Sequence, residues 1–478
     1  MSLQIVAGGS GAGKSTYIYS DVIEKSMKYP EKNYIVVVPE QYTMATQKKL
    51  VDSHPRKGIL NIDVVSFERL SYKVFEEIGG QNHPVLDDTG KNLIVRKVLG
   101  DNRDKLRYFG SNINKTGFVS ELKSVISEFL QYDIDVKRLG EIRERVEDSR
   151  QLSAKLDDIS VVYSAFKEYL ADNYITSEEI LSVLCSVIDR SENIKRSEII
   201  LDGFTGFTPI QYRLIELLLI YSGKVIVSVT ADSREKLNVN EGVQQLFFMS
   251  KEMVSKLYRI CDVIHVDVLN PIILDNEKNP RFVSDEIAFL EKNIFRNNNQ
   301  SYNKKCEDIK IITAQTPKEE LNYCISEILR LTRYEGYRYR DIAIVSADMA
   351  SYGILAGNIC RQNRIPCFVD NKKPVTDNPF VEYIRSALEI IEKSFTYDSM
   401  FRYLRSGMSG ISREDVDLLD NYCLAVGIRG SKQWHGTWVK KGRGRSAYPL
   451  DYLNELREKI MKPLEILEKA LKDKDSLV

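Results

Sequence analysis

Short, nearly unbroken apolar runs recur along this chain, the pattern of strands buried on both faces of a parallel sheet. Leu3-Gln-Ile-Val-Ala7, Tyr34–Val38, Ile62–Val65, Glu198–Leu201, Val225–Val229 and Ile264–Val268 each predict one strand. Between residues 86 and 190 the pattern changes. Leu152, Leu156, Ile159, Tyr163, Phe166 and Leu170 recur at helical spacing, and Thr176-Ser-Glu-Glu179 reads as a capping box opening a helix through Ile188. An all-helical block is therefore expected inside a strand-and-helix domain. At about a hundred residues it exceeds a connecting loop and reads as a domain.

Residues 270–307 are polar and asparagine-rich, as in NIFRNNNQSYNKK, and predict an exposed linker. A second α/β unit is expected beyond it. Its parts are strand Ile309–Thr313, a helix over Lys318–Thr332, strand Asp341–Val345, another helix, and strand Ile365–Val369. From Asn378 helical patterning returns, through Val381, Ile384, Leu388 and Ile391 and later Leu453, Leu456 and Ile460. The last 16 residues are charged and carry no closing fold signal, which predicts that the chain continues in a larger protein.

Bulk composition narrows the class without choosing a function. A chain of 478 residues is too long for one core, and 43% apolar with 28% charged residues describes a water-soluble globular protein. Equal numbers of basic and acidic side chains (68 each) leave any nucleic-acid surface to be local. Seven scattered cysteines without a CxxC, beside four isolated histidines, argue for reduced thiols rather than a disulfide or zinc framework. With no signal peptide and no apolar stretch of about 18 residues, a cytoplasmic location is expected.

The strongest chemical signal follows the first strand. Gly8, Gly9, Ser10, Gly11, Ala12, Gly13, Lys14 and Ser15 fit G-x-x-x-x-G-K-[ST] at every fixed position, and Thr16 leads into a helix through Met27. Glycines let the backbone curl so that successive N–H groups point at phosphate oxygens, and the following helix turns its positive end to the same anion. Lys14 would reach the β and γ phosphates of ATP, and the Ser15 hydroxyl would ligate Mg2+.

The order α/β, helical block, α/β, helical block resembles the 1A-1B-2A-2B arrangement of UvrD-like superfamily 1 helicases. More closely, the chain resembles the AddB family, the B subunits of bacterial ATP-dependent helicase/deoxyribonucleases. The resemblance lies in IVAGGSGAGKSTYIY (5–19), VVVPEQYT, DVVSFERLSYKVF, IILDGFTGFTPIQ, YRYRDIAIVSADMASY and RIPCFVDNKKPVTDNPFVEYIRS, in that order. It implies an α/β fold of P-loop NTPase (RecA-like) domains with large α-helical insertions. The implied boundaries are 1–85 and 196–270 for domain 1A and 86–195 for 1B. A linker would follow over 271–306, then 307–377 as the first part of 2A and 378–478 as a 2B-like domain. It also implies an AddA motor partner, double-stranded DNA ends and single-stranded DNA as substrates, and a response to Chi. A nuclease domain with a 4Fe-4S cluster would lie in C-terminal sequence that these residues do not include.

Against that family, the hydrolytic parts look depleted. Asp202 closes strand Glu198–Leu201, where a carboxylate would support Mg2+ through water. An active motor follows it with a glutamate that orients the attacking water; here Gly203 follows. Ala347 occupies the place where the second α/β unit would carry an arginine. An arginine finger contributes roughly 10³ to 10⁵ in rate, and a general base about 10² to 10⁴. Their loss predicts a nucleotide-binding module with little hydrolysis, unless Glu40 or Asp232 substitutes. By resemblance, Gln41, Thr43, Ser66 and Phe67 would face DNA, although Thr43 and Ser66 could equally be helix caps. Lys440, Lys441, Arg443 and Arg445, beside Tyr448, would contact phosphates or form a solvated loop. A small-molecule P-loop kinase and a non-hydrolysing DNA-binding scaffold are the competing readings.

Overall fold

A computed structural model describes residues 1–79, 84–110, 112–113, 115–132, 134–146, 149–171, 174–239, 242–274, 281–296, 300–370, 375, 378–440 and 449–472. The chain divides into two compact units, Met1–Lys310 and Ile311–Val478. No helix among the described residues is long and apolar enough to cross a membrane.

The first unit is built on β1 (Ser2–Gly8), β2 (Asn33–Val37), β3 (Ile62–Val65), β6 (Ser197–Leu201), β7 (Lys224–Thr230), β8 (Asp267–Val268) and β9 (Ile272–Ile273). They pair in the order β3-β2-β6-β7-β1-β8, with β9 also on β1, and every pairing is parallel. All carboxyl ends therefore meet at one edge of the sheet, where ligands of open α/β sheets bind. Alternation along the strands divides the core between two faces. Leu3, Ile5, Ala7, Val37, Leu201 and Val227 pack with residues of helices Phe67–Ile78, Ile180–Val187, Pro209–Tyr221 and Phe248–Ile264. Val6, Tyr34, Val36, Ile200 and Ile226 pack with Ile18, Val22 and Ile23 of helix Lys14–Lys28 and with Leu50. The result is a three-layer sandwich.

Five of the six strands expected in this region form. Ile264–Val268 does not: Ile264 ends a helix, His265 turns left-handed at φ 55, and only Asp267–Val268 joins the sheet. Residues 270–307, expected as an exposed linker, carry β9 and helix Asp285–Asn293. Buried Glu286 on that helix accepts the backbone N–H groups of Glu307 at 2.6 Å and Asp308 at 2.9 Å.

The helical insert leaves and rejoins the sheet domain through β4 (Val85–Leu86) and β5 (Ile175–Thr176), a two-residue parallel pair. Its own core joins Ile94, Val95, Leu99, Leu122, Ile126, Tyr163, Phe166 and Leu170, with Tyr163, Phe166 and Leu170 on the expected helix Arg150–Ala171. Buried Asp158 on that helix accepts the N–H groups of Arg107, Tyr108 and Phe109 at 3.0, 2.8 and 2.8 Å. The reciprocal bonds of the expected capping box form, with Glu179 N–H donating to Thr176 Oγ1 at 3.3 Å and Glu179 Oε2 accepting from Thr176 N–H at 3.1 Å, but they close the turn ahead of helix Ile180–Val187, whose N-cap is Glu179.

In the second unit helices Pro317–Tyr334 and Met349–Gln362 form as expected and share a small core of Leu321, Ile325, Ile359, Cys360 and Ile365. The three expected strands do not form: no strand is assigned among the described residues of this unit. Ile311, Val345 and Phe368 remain about nine-tenths exposed. An extended segment becomes a strand only when a neighbour completes its ladder of hydrogen bonds, and none of the described residues does so here. The later helices close on a second core around Trp434, Trp438, Leu453, Leu456 and Ile460. On helix Pro379–Glu392 the buried residues are Ser386, Ala387 and Ile390, while Ile384 and Leu388 of the apolar row stay exposed.

Candidate functional site

Three turns at the carboxyl edge of the sheet bring together most of the residues singled out in the sequence. The first, residues 8–15, follows β1. Gly11 and Gly13 hold φ of +81° and +91°, which side-chain-bearing residues rarely adopt. A Cβ on Gly11 would also meet the Arg281 side chain, with Cδ at 2.5 Å. Helix Lys14–Lys28 begins without a side-chain cap, so its first N–H groups open toward the loop. Lys14 Nζ donates to the carbonyls of Gly8 at 2.9 Å and Gly9 at 2.8 Å. Burial lowers the Lys14 pKa, opposed by the charge of Asp202. These features fit the phosphates of a nucleotide: a left-handed backbone, a cation and an uncapped helix end, all in one turn.

The second turn follows β6. Asp202 is buried, and both carboxylate oxygens are engaged: Tyr19 Oη donates at 2.6 Å and Ser228 Oγ at 2.5 Å. Tyr19 is itself buried; burial first, and Asp202 second, raise its pKa. A tyrosine thus sits on the carboxylate expected to share Mg2+ with Ser15. Gly203 has φ +83°, and its N–H donates to Ser228 Oγ at 3.2 Å. A cavity of about 270 Å3 opens beside these groups, lined by Ser15, Tyr19, Tyr42, Thr46, Lys49 and Asp202.

The third turn follows β7 and is tied to the first, since Ala231 N–H donates to Gly8 O at 3.1 Å. Asp232 is buried and held by Arg234, whose N–H, Nε and Nη2 lie at 2.9, 2.9 and 2.8 Å, and by the Arg296 guanidinium. Burial alone would raise its pKa, but the two arginines hold it at about 2. A carboxylate with so little affinity for protons is a poor general base. Glu40, the other possible substitute, pairs with Arg69 at 3.1 Å on the surface.

The expected DNA contacts fall differently. Pro39–Thr43 and Ser66–Phe67 follow β2 and β3 at the same edge. Gln41 is exposed, but Thr43 is buried and donates to Glu40 O at 2.9 Å. Ser66 caps helix Phe67–Ile78 by accepting from Arg69 N–H at 3.3 Å. Phe67 is buried against Phe204 and Phe207, with ring centroids at 5.3 and 6.2 Å. The capping reading therefore holds for Ser66, while Thr43 opens helix Thr43–Ser53 without capping it and Phe67 packs in the core. Lys440 is exposed; Lys441, Arg443, Arg445 and Tyr448 lie outside the described residues.

Sequence spacing gave no sign of Tyr19, Arg281 or Arg296. Ser228 did leave one, as the lone polar residue in the apolar run of β7.

The profile of the family described as "ADDB, N-terminal" matches residues 5–291. Over 100% of its length the chain is 43% identical to the B subunit of an ATP-dependent helicase/deoxyribonuclease of Lachnoclostridium phytofermentans, covering 42% of that protein. The proteins of the same name from Clostridium novyi and Caldanaerobacter subterraneus are 35% and 34% identical over 99% and 97% of the chain, with 41% of each covered. The chain spans about two fifths of the length of these relatives.

Proposed function

The chain belongs to the AddB family, and from that premise we propose that it is a helicase-derived nucleotide-binding module that holds ATP without using it as fuel. The binding half of the proposal is supported by the first turn. Lys14 would exchange the carbonyls of Gly8 and Gly9 for phosphate oxygens, and the loop N–H groups would donate to the same anion.

The observation that carries the second half is the backbone at Gly203. The position that should hold a water-orienting glutamate has φ +83°, so a side chain there is strained as well as missing. With Asp232 locked between two arginines, the described residues of this edge offer no buried carboxylate free to accept a proton. The names of the relatives support a wider setting. In that setting the module works in a two-subunit complex on DNA ends, a partner supplies the motor, and the UvrD-like arrangement reflects descent from one.

Two measurements test the reading together. ATP should bind in an equilibrium titration, and the purified chain with single-stranded DNA should turn over at least about 10³-fold below an active motor. Turnover at motor rates refutes the second half; absence of binding refutes the first.

A further inference from the structure

We infer that Tyr19 takes the place of the metal-bound water between Ser15 and Asp202, so that this site binds nucleotide phosphates independently of Mg2+. The inference rests on the nucleotide-binding reading above and concerns what surrounds the phosphates once they are bound.

Mg2+ demands near-octahedral oxygen ligands at about 2.0–2.1 Å and gives up its waters reluctantly. In a P-loop site the hydroxyl after the lysine is one ligand, and a carboxylate across the cleft holds one of the waters. Here the carboxylate is already satisfied. Its two oxygens accept from Tyr19 Oη at 2.6 Å and Ser228 Oγ at 2.5 Å, inside a buried pocket. Tyr19 lines the same cavity as Ser15, so a neutral hydroxyl held on the carboxylate occupies the gap the hydrated ion would bridge. The ring cannot swing aside freely. Tyr19 is 5% exposed, and its flank is covered by Lys49 with Nζ 5.3 Å from the centroid. Ser15 and Asp202 as arranged therefore do not fit a hydrated divalent cation.

A phosphate bound without metal needs its charge met by the protein. Lys14 supplies a cation beside the loop, and the Arg281 side chain packs its aliphatic stem on Gly11. The uncapped helix end adds partial positive charge.

The test is calorimetric titration of ATP into the intact chain in magnesium chloride and in EDTA. The expected Kd differs by less than about threefold between the two buffers, while Tyr19→Phe, which frees Asp202 and the gap, acquires a preference for magnesium of about tenfold or more. Wild-type binding that collapses in EDTA overturns the inference alone. Binding in neither buffer removes it together with the reading beneath it. A Tyr19→Phe chain that stays indifferent to metal overturns the role of Tyr19. Should that variant fail to fold, Asp202→Asn decides: unchanged affinity in magnesium is expected, and a loss of about tenfold overturns the inference.

Discussion

Two turns on one sheet edge have kept different things. The turn after β1 carries every residue of the G-x-x-x-x-G-K-[ST] pattern, with left-handed glycines, a half-buried lysine and an open helix end. In the turn after β6 the carboxylate is engaged within the protein: Asp202 ties Tyr19 to Ser228, and Gly203 fixes a backbone that a glutamate could not adopt without strain. Both turns are well built, so the contrast is not between order and decay. On the reading proposed above, the first turn is maintained by its use of an anion while its neighbour is absorbed into the packing.

Four substitutions test that contrast. The largest effect is expected at the turn after β7. Asp232→Ala strips the shared partner from Arg234 and Arg296 and should cost about 3 kcal/mol of unfolding free energy in urea. The same group sets an acid limit. Because its folded pKa of about 2 lies below the ordinary 3.8, its contribution is in place above about pH 4 and is lost as pH falls toward 2. The wild type should therefore lose stability across that window by about 2 kcal/mol more than Asp232→Ala does.

Next in size, Lys14→Ala should weaken ATP binding by about a hundredfold, or 2.7 kcal/mol, with an unchanged melting curve; equal affinities would make the first turn as structural as the second. Gly203→Glu restores the missing side chain and should still give no turnover, while destabilising the fold by about 1–2 kcal/mol. Gain of ATPase in that variant would erase the distinction drawn here. The smallest effect belongs to Ser66→Ala, which loses a helix cap and should cost about 1 kcal/mol in thermal unfolding. In DNA-binding assays the same variant should match wild type, because Ser66 is buried beneath the helix end it caps.

The cradle was legible because its spacing, its strand and its helix are contiguous in sequence. Asp202 was legible as the residue ending an apolar run. Tyr19 was not, since it meets Asp202 from 183 residues away and only packing joins them. Arg281 and Arg296 were hidden in a polar stretch that reads as linker, yet that stretch returns along β1 through β9. The opposite error arose at 309–313, 341–345 and 365–369. Apolar runs there announce a wish for burial, but a ladder needs a second chain segment, which no local pattern can report. The capture of the Glu307 and Asp308 amides by Glu286 commits backbone donors just ahead of the first of these runs.

The paired dipeptides Val85–Leu86 and Ile175–Thr176 give the helical insert a threshold one strand spacing wide, about 5 Å. Whatever lies beyond such a threshold can lengthen, shrink or be exchanged in evolution with little disturbance to the sheet. The same geometry offers a practical graft: a short glycine-rich bridge from Leu86 to Ile175 would close the gap and isolate the parallel-sheet layer for separate study.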